Sequence, residues 1–313
     1  MTLVSLSATN VTVYRAPVAA TAHPTPADRI PPELLVLGAT ISVQFGAGLA
    51  ATLFDDLGPG GASLLRLGFA ALIVCVIWRP RPADFRAPGA IRAAVAYGIA
   101  LGLMNVLFYE ALDRIPLGIA VTIEFVGPLG VAVAASRRRL DVVWVVLAGA
   151  GIALLGLRSG GTDGLDGVGV AFALAAAACW AAYIVLAQHL GDRVSGTSGL
   201  SGGMLIAAVV PIVPGIADGG TALLDPALLA QGFAVAVLSS VIPYSLEFAA
   251  LRRMAKRVFG VLMSLEPALA AFAGLVVLGQ TLSARDVVAI GLVVTASIGA
   301  ASTDRSARPL GEP

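Results

Sequence analysis

Between residues 34 and 302 the chain is a succession of ten mostly apolar stretches, each 17–25 residues long. They run over 34–54, 60–78, 90–111, 115–136, 141–157, 167–188, 197–216, 227–250, 257–278 and 284–302. Runs of this length match helices that cross the roughly 30 Å hydrocarbon core of a bilayer. Lipid offers no partner for exposed backbone N–H and C=O groups, so such runs form helices that satisfy them internally. The loops between them carry the helix breakers: Gly58-Pro-Gly-Gly61, Pro80-Arg-Pro82, Ser159-Gly-Gly161 and Gly219-Gly220. The predicted architecture is an all-α polytopic membrane protein with ten transmembrane helices.

Composition supports this reading. Only 12% of the 313 residues are charged and 58% are hydrophobic, against about 25% charged in soluble domains. A net charge of +1, with no basic stripe, excludes a nucleic-acid footprint. Cys75 and Cys179 lie inside apolar stretches and read as small buried hydrophobes. His23 sits in a polar tail and His189 at the end of a stretch, so no metal or cofactor site is expected. Gly149-Ala-Gly151 lies inside an apolar stretch without a preceding strand, which rules it out as a nucleotide loop. Gly98-Ile-Ala-Leu-Gly102 predicts close helix packing. An intramembrane enzyme would need a catalytic set such as an aspartate pair or a Ser/His dyad. No stretch holds an aspartate or histidine near its centre.

Residues 1–32, rich in Pro, Thr and Ala, lack a basic start followed by an apolar run and so are not a secretory signal. They are expected to form a disordered cytoplasmic tail, and residues 303–313 a second one. With the N-terminus inside, alternation places Arg79, Arg81, Arg86, Arg92, Arg137, Arg138, Arg139, Arg193, Arg252, Arg253, Lys256 and Arg257 in inner loops. The outer loops hold only Arg114, Arg158 and Arg285 among basic residues, but carry Asp55, Asp56, Asp163, Asp166, Asp218 and Asp225. This bias predicts cytoplasmic termini.

Thr122-Ile-Glu-Phe-Val-Gly-Pro128 and Ser264-Leu-Glu-Pro267 each put a carboxylate and a proline near the middle of an apolar stretch, the fourth and the ninth. A charge at the bilayer centre costs about 2.5–3.5 kcal/mol on insertion scales, so it marks a cavity, a partner or a transported species. At an offset of 139 residues Pro128 meets Pro267, Arg114 meets Arg253, and Ala132 and Ala134 meet Ala271 and Ala273. Two inverted five-helix repeats are therefore predicted, over 33–157 and 158–302. Interrupted helices at matching places in two halves point to a midplane transport site. Pro128, Pro267 and Pro243 are the expected helix-break positions.

Candidate substrate or proton ligands follow. Glu124 and Glu266 would pair with a substrate ammonium or carry an exchangeable proton; otherwise each hydrogen-bonds a carbonyl freed by its proline. Arg66, in the second stretch, would bind a carboxylate or a buried Glu, or extend to the outer interface. Asn105 and Tyr109 share a helix face at i, i+4, and Tyr244 and Glu247 at i, i+3. They line a polar cavity or bond between helices. Glu247 has the alternative of pairing with Arg252 or Arg253. Gln44, Trp180 and Tyr183 fall in the first stretch of each half, with packing as the competing role.

Several stretches resemble the drug/metabolite transporter superfamily in its EamA branch, with two such domains in tandem. They include Asn105-Val-Leu-Phe-Tyr109, Ile115-Pro-Leu-Gly-Ile-Ala-Val121, Glu124-Phe-Val-Gly-Pro-Leu129, Asp141-Val-Val-Trp-Val-Val-Leu147, Ile242-Pro-Tyr-Ser-Leu-Glu247 and Leu262-Met-Ser-Leu-Glu-Pro-Ala-Leu-Ala-Ala271. The resemblance extends from about residue 38 to 302 and is strongest to bacterial inner-membrane threonine/homoserine exporters. It implies a secondary active exporter of small amino acids in the inner (plasma) membrane, with a proton as coupling ion, alternating access, and no cofactor or nucleic acid. An exporter of another small metabolite or drug, such as a purine, sugar derivative or cation, is the alternative. A non-transporting scaffold is a remote one. The chain departs from these exporters in reading Gly48-Leu-Ala-Ala51 where a Lys is usual. It also has Gln280 where an acid is usual after the ninth stretch, and Glu110 where an apolar residue is usual.

Overall fold

The computed structural model describes residues 30–135, 140–156, 165–194, 197–251, 253–254 and 256–303. The expected tails up to residue 29 and from 304, the arginines at 137–139, Arg252, Arg158, Asp163 and the Ser159-Gly-Gly161 breaker lie outside these residues. Among the described residues the fold is entirely helical. In order the helices are α1 (Pro32–Ala51), α2 (Phe54–Trp78), α3 (Ala90–Leu112), α4 (Leu117–Glu124), α5 (Val126–Ala135), α6 (Leu140–Gly156) and α7 (Gly167–Gly191). Then come α8 (Ser198–Ala207), α9 (Ile212–Gly219), α10 (Pro226–Ala236), α11 (Ile242–Leu251), α12 (Lys256–Met263), α13 (Glu266–Leu278) and α14 (Ala284–Thr303).

Among the described residues, six segments are long and apolar enough to cross a membrane: α1, α2, α3, α7, Pro226–Glu247 and Val258–Leu278. The helices α8 and α9 make a seventh segment if their 45° bend is counted within one span. Leu117–Val131 and Val142–Leu154 are apolar but shorter.

The interruptions follow from proline. Its ring crowds the preceding turn, and it has no N–H for the carbonyl four residues back. Upstream of Pro128, Phe125 separates α4 from α5, and upstream of Pro267, Ser264–Leu265 separate α12 from α13. Before Pro243 a five-residue π-helix, Val237–Val241, joins α10 to α11. The hydroxyl of Ser42 in α1 donates to the Leu238 carbonyl in that π segment at 2.7 Å. This is how a neighbouring helix satisfies backbone freed inside an apolar span. α2 is kinked at Gly58, whose φ of 63° suits glycine and not residues with a Cβ.

Small residues let the helices approach. A Cβ on Gly98 would lie 2.6 Å from the Gly203 carbonyl oxygen, and one on Gly102 2.7 Å from that of Ala207. The glycine pair of α3 thus seats α8 of the same chain. The main buried cluster joins α1, α2, α3, α4, α7 and α13 around Leu53, Leu57, Tyr109, Leu117, Ile119 and Ile123.

Candidate functional site

A cavity of about 210 Å³ lies between helices from both halves of the chain. α1 contributes Val43, Gln44 and Ala47, α2 contributes Arg66, and α3 contributes Leu101, Met104, Asn105 and Phe108. Val121 and Glu124 come from α4, and Trp180 and Tyr183 from α7. Ser239 of the π segment, Pro243, Tyr244 and Glu247 of α11, Phe259 and Met263 of α12 and Glu266 of α13 complete the wall. Drug-sized ligands occupy roughly 300–1,000 Å³, so this volume suits a small metabolite.

Glu124 ends α4 and Glu266 begins α13, so each carboxylate sits at a helix interruption. Both are 6% exposed. Neither makes an ion pair within 4.0 Å or a side-chain hydrogen bond among the described residues. The carbonyls that lose a potential donor to Pro128, Pro267 and Pro243 are those of Glu124, Met263 and Ser239. All three residues line the cavity.

Of the residues singled out in the sequence, Glu124, Glu266, Asn105, Tyr244, Arg66, Gln44, Trp180 and Glu247 all line this cavity. Tyr109 does not. It is fully buried behind the wall, and its hydroxyl accepts a 3.1 Å hydrogen bond from Arg66 Nη1. The guanidinium carbon lies 5.3 Å from the Tyr109 ring centroid. Phe54 and Phe108 pack on that ring at 5.5 and 6.0 Å. Arg66 is therefore held in place, not extended to an interface. Its Nε, with Gln44 Oε1 and Ser239 Oγ, has no hydrogen-bond partner among the described residues. Buried polar atoms without partners are rare and call for a reason such as a ligand or water.

Asn105 donates to the Leu101 carbonyl at 2.8 Å, which fixes its amide within α3. Trp180 packs edge-to-face on Phe125 at 5.6 Å, so it serves both packing and lining. Tyr183 stacks against Tyr97 at 5.2 Å between centroids and also lines the cavity. Glu110 pairs with Arg114 at 2.9 Å across one helical turn. Ser239 was missed, because a serine in an apolar run carries no signal until the π segment turns it inward. Met104, Phe108, Phe259 and Met263 were missed because apolar side chains at helical spacing read as core.

Two contacts tie the halves together at the end of the bundle where α3 meets α4. Asp218 Oδ2 accepts from the Gly60 N–H at 3.0 Å, where α2 resumes after its kink. Gln280 Oε1 accepts from the Leu117 N–H at 3.0 Å, in the first turn of α4. Each is a side-chain oxygen capping a helix start that has no intrahelical acceptor. Gln280 thus does with an amide what a carboxylate would do with a charge.

The sequence model of the EamA-like transporter family matches residues 167–301. Over 274 residues the chain is 43% identical to the threonine/homoserine exporter RhtA of Salmonella typhimurium LT2, covering 88% of this chain and 92% of that one. The same exporter of Escherichia coli K12 is 42% identical over the same coverage. The chain belongs to the EamA-like transporter family. A solved crystal structure aligns with 86% of the chain and 96% of its own length at a TM-score of 0.58 and 20% identity, a likeness of fold. As a family member with six or more helices able to cross a membrane, the protein is a transmembrane transporter and not an enzyme.

Proposed function

We propose that this EamA-family member is a ten-span exporter of the bacterial inner membrane that moves small amino acids of the threonine/homoserine kind out of the cytoplasm. The observation that carries the reading is the charge pattern of the cavity. One guanidinium, Arg66, and three carboxylates, Glu124, Glu247 and Glu266, face a volume sized for a small metabolite. An amino-acid zwitterion presents a carboxylate for Arg66 and an ammonium for the carboxylates, each a charge-assisted contact. The relatives named as threonine/homoserine exporters support that substrate class.

In this reading the ten spans are α1, α2, α3, α4–α5, α6, α7, α8–α9, α10–α11, α12–α13 and α14. They form two inverted repeats, 33–157 and 158–302, flanked by cytoplasmic tails at 1–32 and 303–313. The arginine bias of the alternate loops supports the sidedness. Transport proceeds by alternating access, the halves rearranging around the cavity. The Asp218 and Gln280 caps close the outer end. Glu124 and Glu266 exchange the coupling proton in antiport with substrate.

The excess of carboxylates over guanidinium among the described lining residues, with Trp180, Phe108 and Tyr244 around them, favours a second reading. It is a small organic cation, held by carboxylate and aromatic faces. Counterflow of labelled threonine and homoserine in proteoliposomes, with and without a pH gradient, tests the proposal. Saturable, gradient-responsive uptake is the expected result. Uptake of a quaternary ammonium but neither amino acid from the same vesicles would replace the first reading with the second.

A further inference from the structure

Away from the central cavity, the loop between α2 and α3 forms an open groove lined by Phe85, Arg86, Ala87, Gly89, Ile91 and Arg92. Arg86 and Arg92 are both exposed. Neither makes an ion pair or a side-chain hydrogen bond among the described residues. The acid of this loop, Asp84, is engaged elsewhere: it accepts from the Ser198 hydroxyl at 2.5 Å. Arg193 adds a third cation near the groove, since a Cβ on Gly89 would stand 3.6 Å from its Nε. Arg79 and Arg81 are exposed in the same loop.

An apolar lane starts at the groove. Ile91, Val95, Ile99 and Leu103 are 65%, 38%, 43% and 40% exposed. They follow one another at four-residue steps along α3, which places them on one slowly turning face. At 1.5 Å per residue the lane is about 18 Å long, comparable to one leaflet of a roughly 30 Å hydrocarbon core. Two unpaired guanidiniums at the head of a leaflet-long apolar lane fit a molecule with an anionic head and a long hydrocarbon tail.

We propose that this groove is a headgroup site for an anionic phospholipid, with the phosphate on Arg86 and Arg92 and an acyl chain along Ile91, Val95, Ile99 and Leu103. Guanidinium binds phosphate through paired N–H donors, which a choline headgroup's own cation opposes. The site is independent of the substrate in the central cavity, so it stands or falls separately from the transport reading.

The test is binding of phosphatidylglycerol against phosphatidylcholine to the detergent-purified full chain, read by native mass spectrometry and by the rise in melting temperature on lipid addition. Wild-type protein should prefer phosphatidylglycerol. With two basic contacts removed, Arg86→Gln/Arg92→Gln should lose about thirtyfold in that preference. Arg285→Gln, exposed at the other end of the bundle, should leave it unchanged. The wild-type preference should also fall as salt is raised, a readout that needs no variant. Equal binding of the two lipids by wild type, or an undiminished preference in the double variant, would overturn the site. Binding of inorganic phosphate as tight as that of the lipid would remove the acyl lane and overturn it as a lipid site.

Discussion

The hydroxyl of Tyr109 never reaches the cavity, yet its removal should weaken substrate binding. Tyr109→Phe keeps the ring, its packing on Phe54 and Phe108, and its place under the Arg66 guanidinium. It deletes one atom, the acceptor of the 3.1 Å bond from Arg66 Nη1. A hydrogen bond to a charged group contributes about 1.5–3 kcal/mol. If Arg66 binds the substrate carboxylate, losing its anchor frees the guanidinium to leave the binding geometry. At about 1.4 kcal/mol per factor of ten, KM for threonine should rise roughly ten- to hundredfold, with a smaller change in maximal rate. The assay is initial-rate counterflow in proteoliposomes, with threonine and threonine amide compared on the same preparations. The amide lacks the carboxylate, so its weaker transport should not change between wild type and variant. A melting temperature close to wild type would establish that the variant folds. An unchanged threonine KM in a folded variant would refute the reasoning, and so would an equal loss for the amide.

Three further outcomes are expected. Glu266→Gln keeps the shape of a buried side chain but cannot exchange a proton, so pH-driven export should be abolished while expression and melting temperature persist. Glu124→Gln should behave alike, and gradient-responsive flux in both would remove them from the coupling. Asp218→Ala deletes the acceptor for the Gly60 N–H and should cost about 1 kcal/mol. That shifts the balance of outer-closed and outer-open states by roughly fivefold, measurable as faster labelling of a cysteine introduced at the outer end, with Asp218→Asn closer to wild type. Gly118→Ala would place a Cβ 2.7 Å from Cα of Ala271 where α4 packs on α13. Such overpacking costs about 1–3 kcal/mol, and an unchanged melting temperature would show that α4 and α13 do not pack this closely.

Where the chain could be read from its residues alone, the cause was local. Pro128, Pro243 and Pro267 lack an N–H wherever they sit, so each had to disturb the turn before it, and the disturbances lie there. The mid-stretch carboxylates Glu124 and Glu266 were conspicuous for the same kind of reason: a charge among some twenty apolar residues is costly in any fold. The family resemblance, carried by short motifs at those places, agrees with the relatives found by comparison.

What the sequence determined by itself was the class of structure: apolar helices, interrupted at prolines, with buried charge at the interruptions. Tertiary structure alone decided which polar groups meet. It turned Tyr109 away from the cavity to hold Arg66. It set Glu247 on the cavity wall, where pairing with Arg252 or Arg253 had been the alternative, and rotated Ser239 inward through a π segment. It also brought Gln280 to the start of α4, 163 residues away in sequence. Periodicity tells which face of a helix is apolar, but in a chain this apolar nearly every face is. The partner of each polar side chain is then fixed by how the helices cross, which no local pattern encodes.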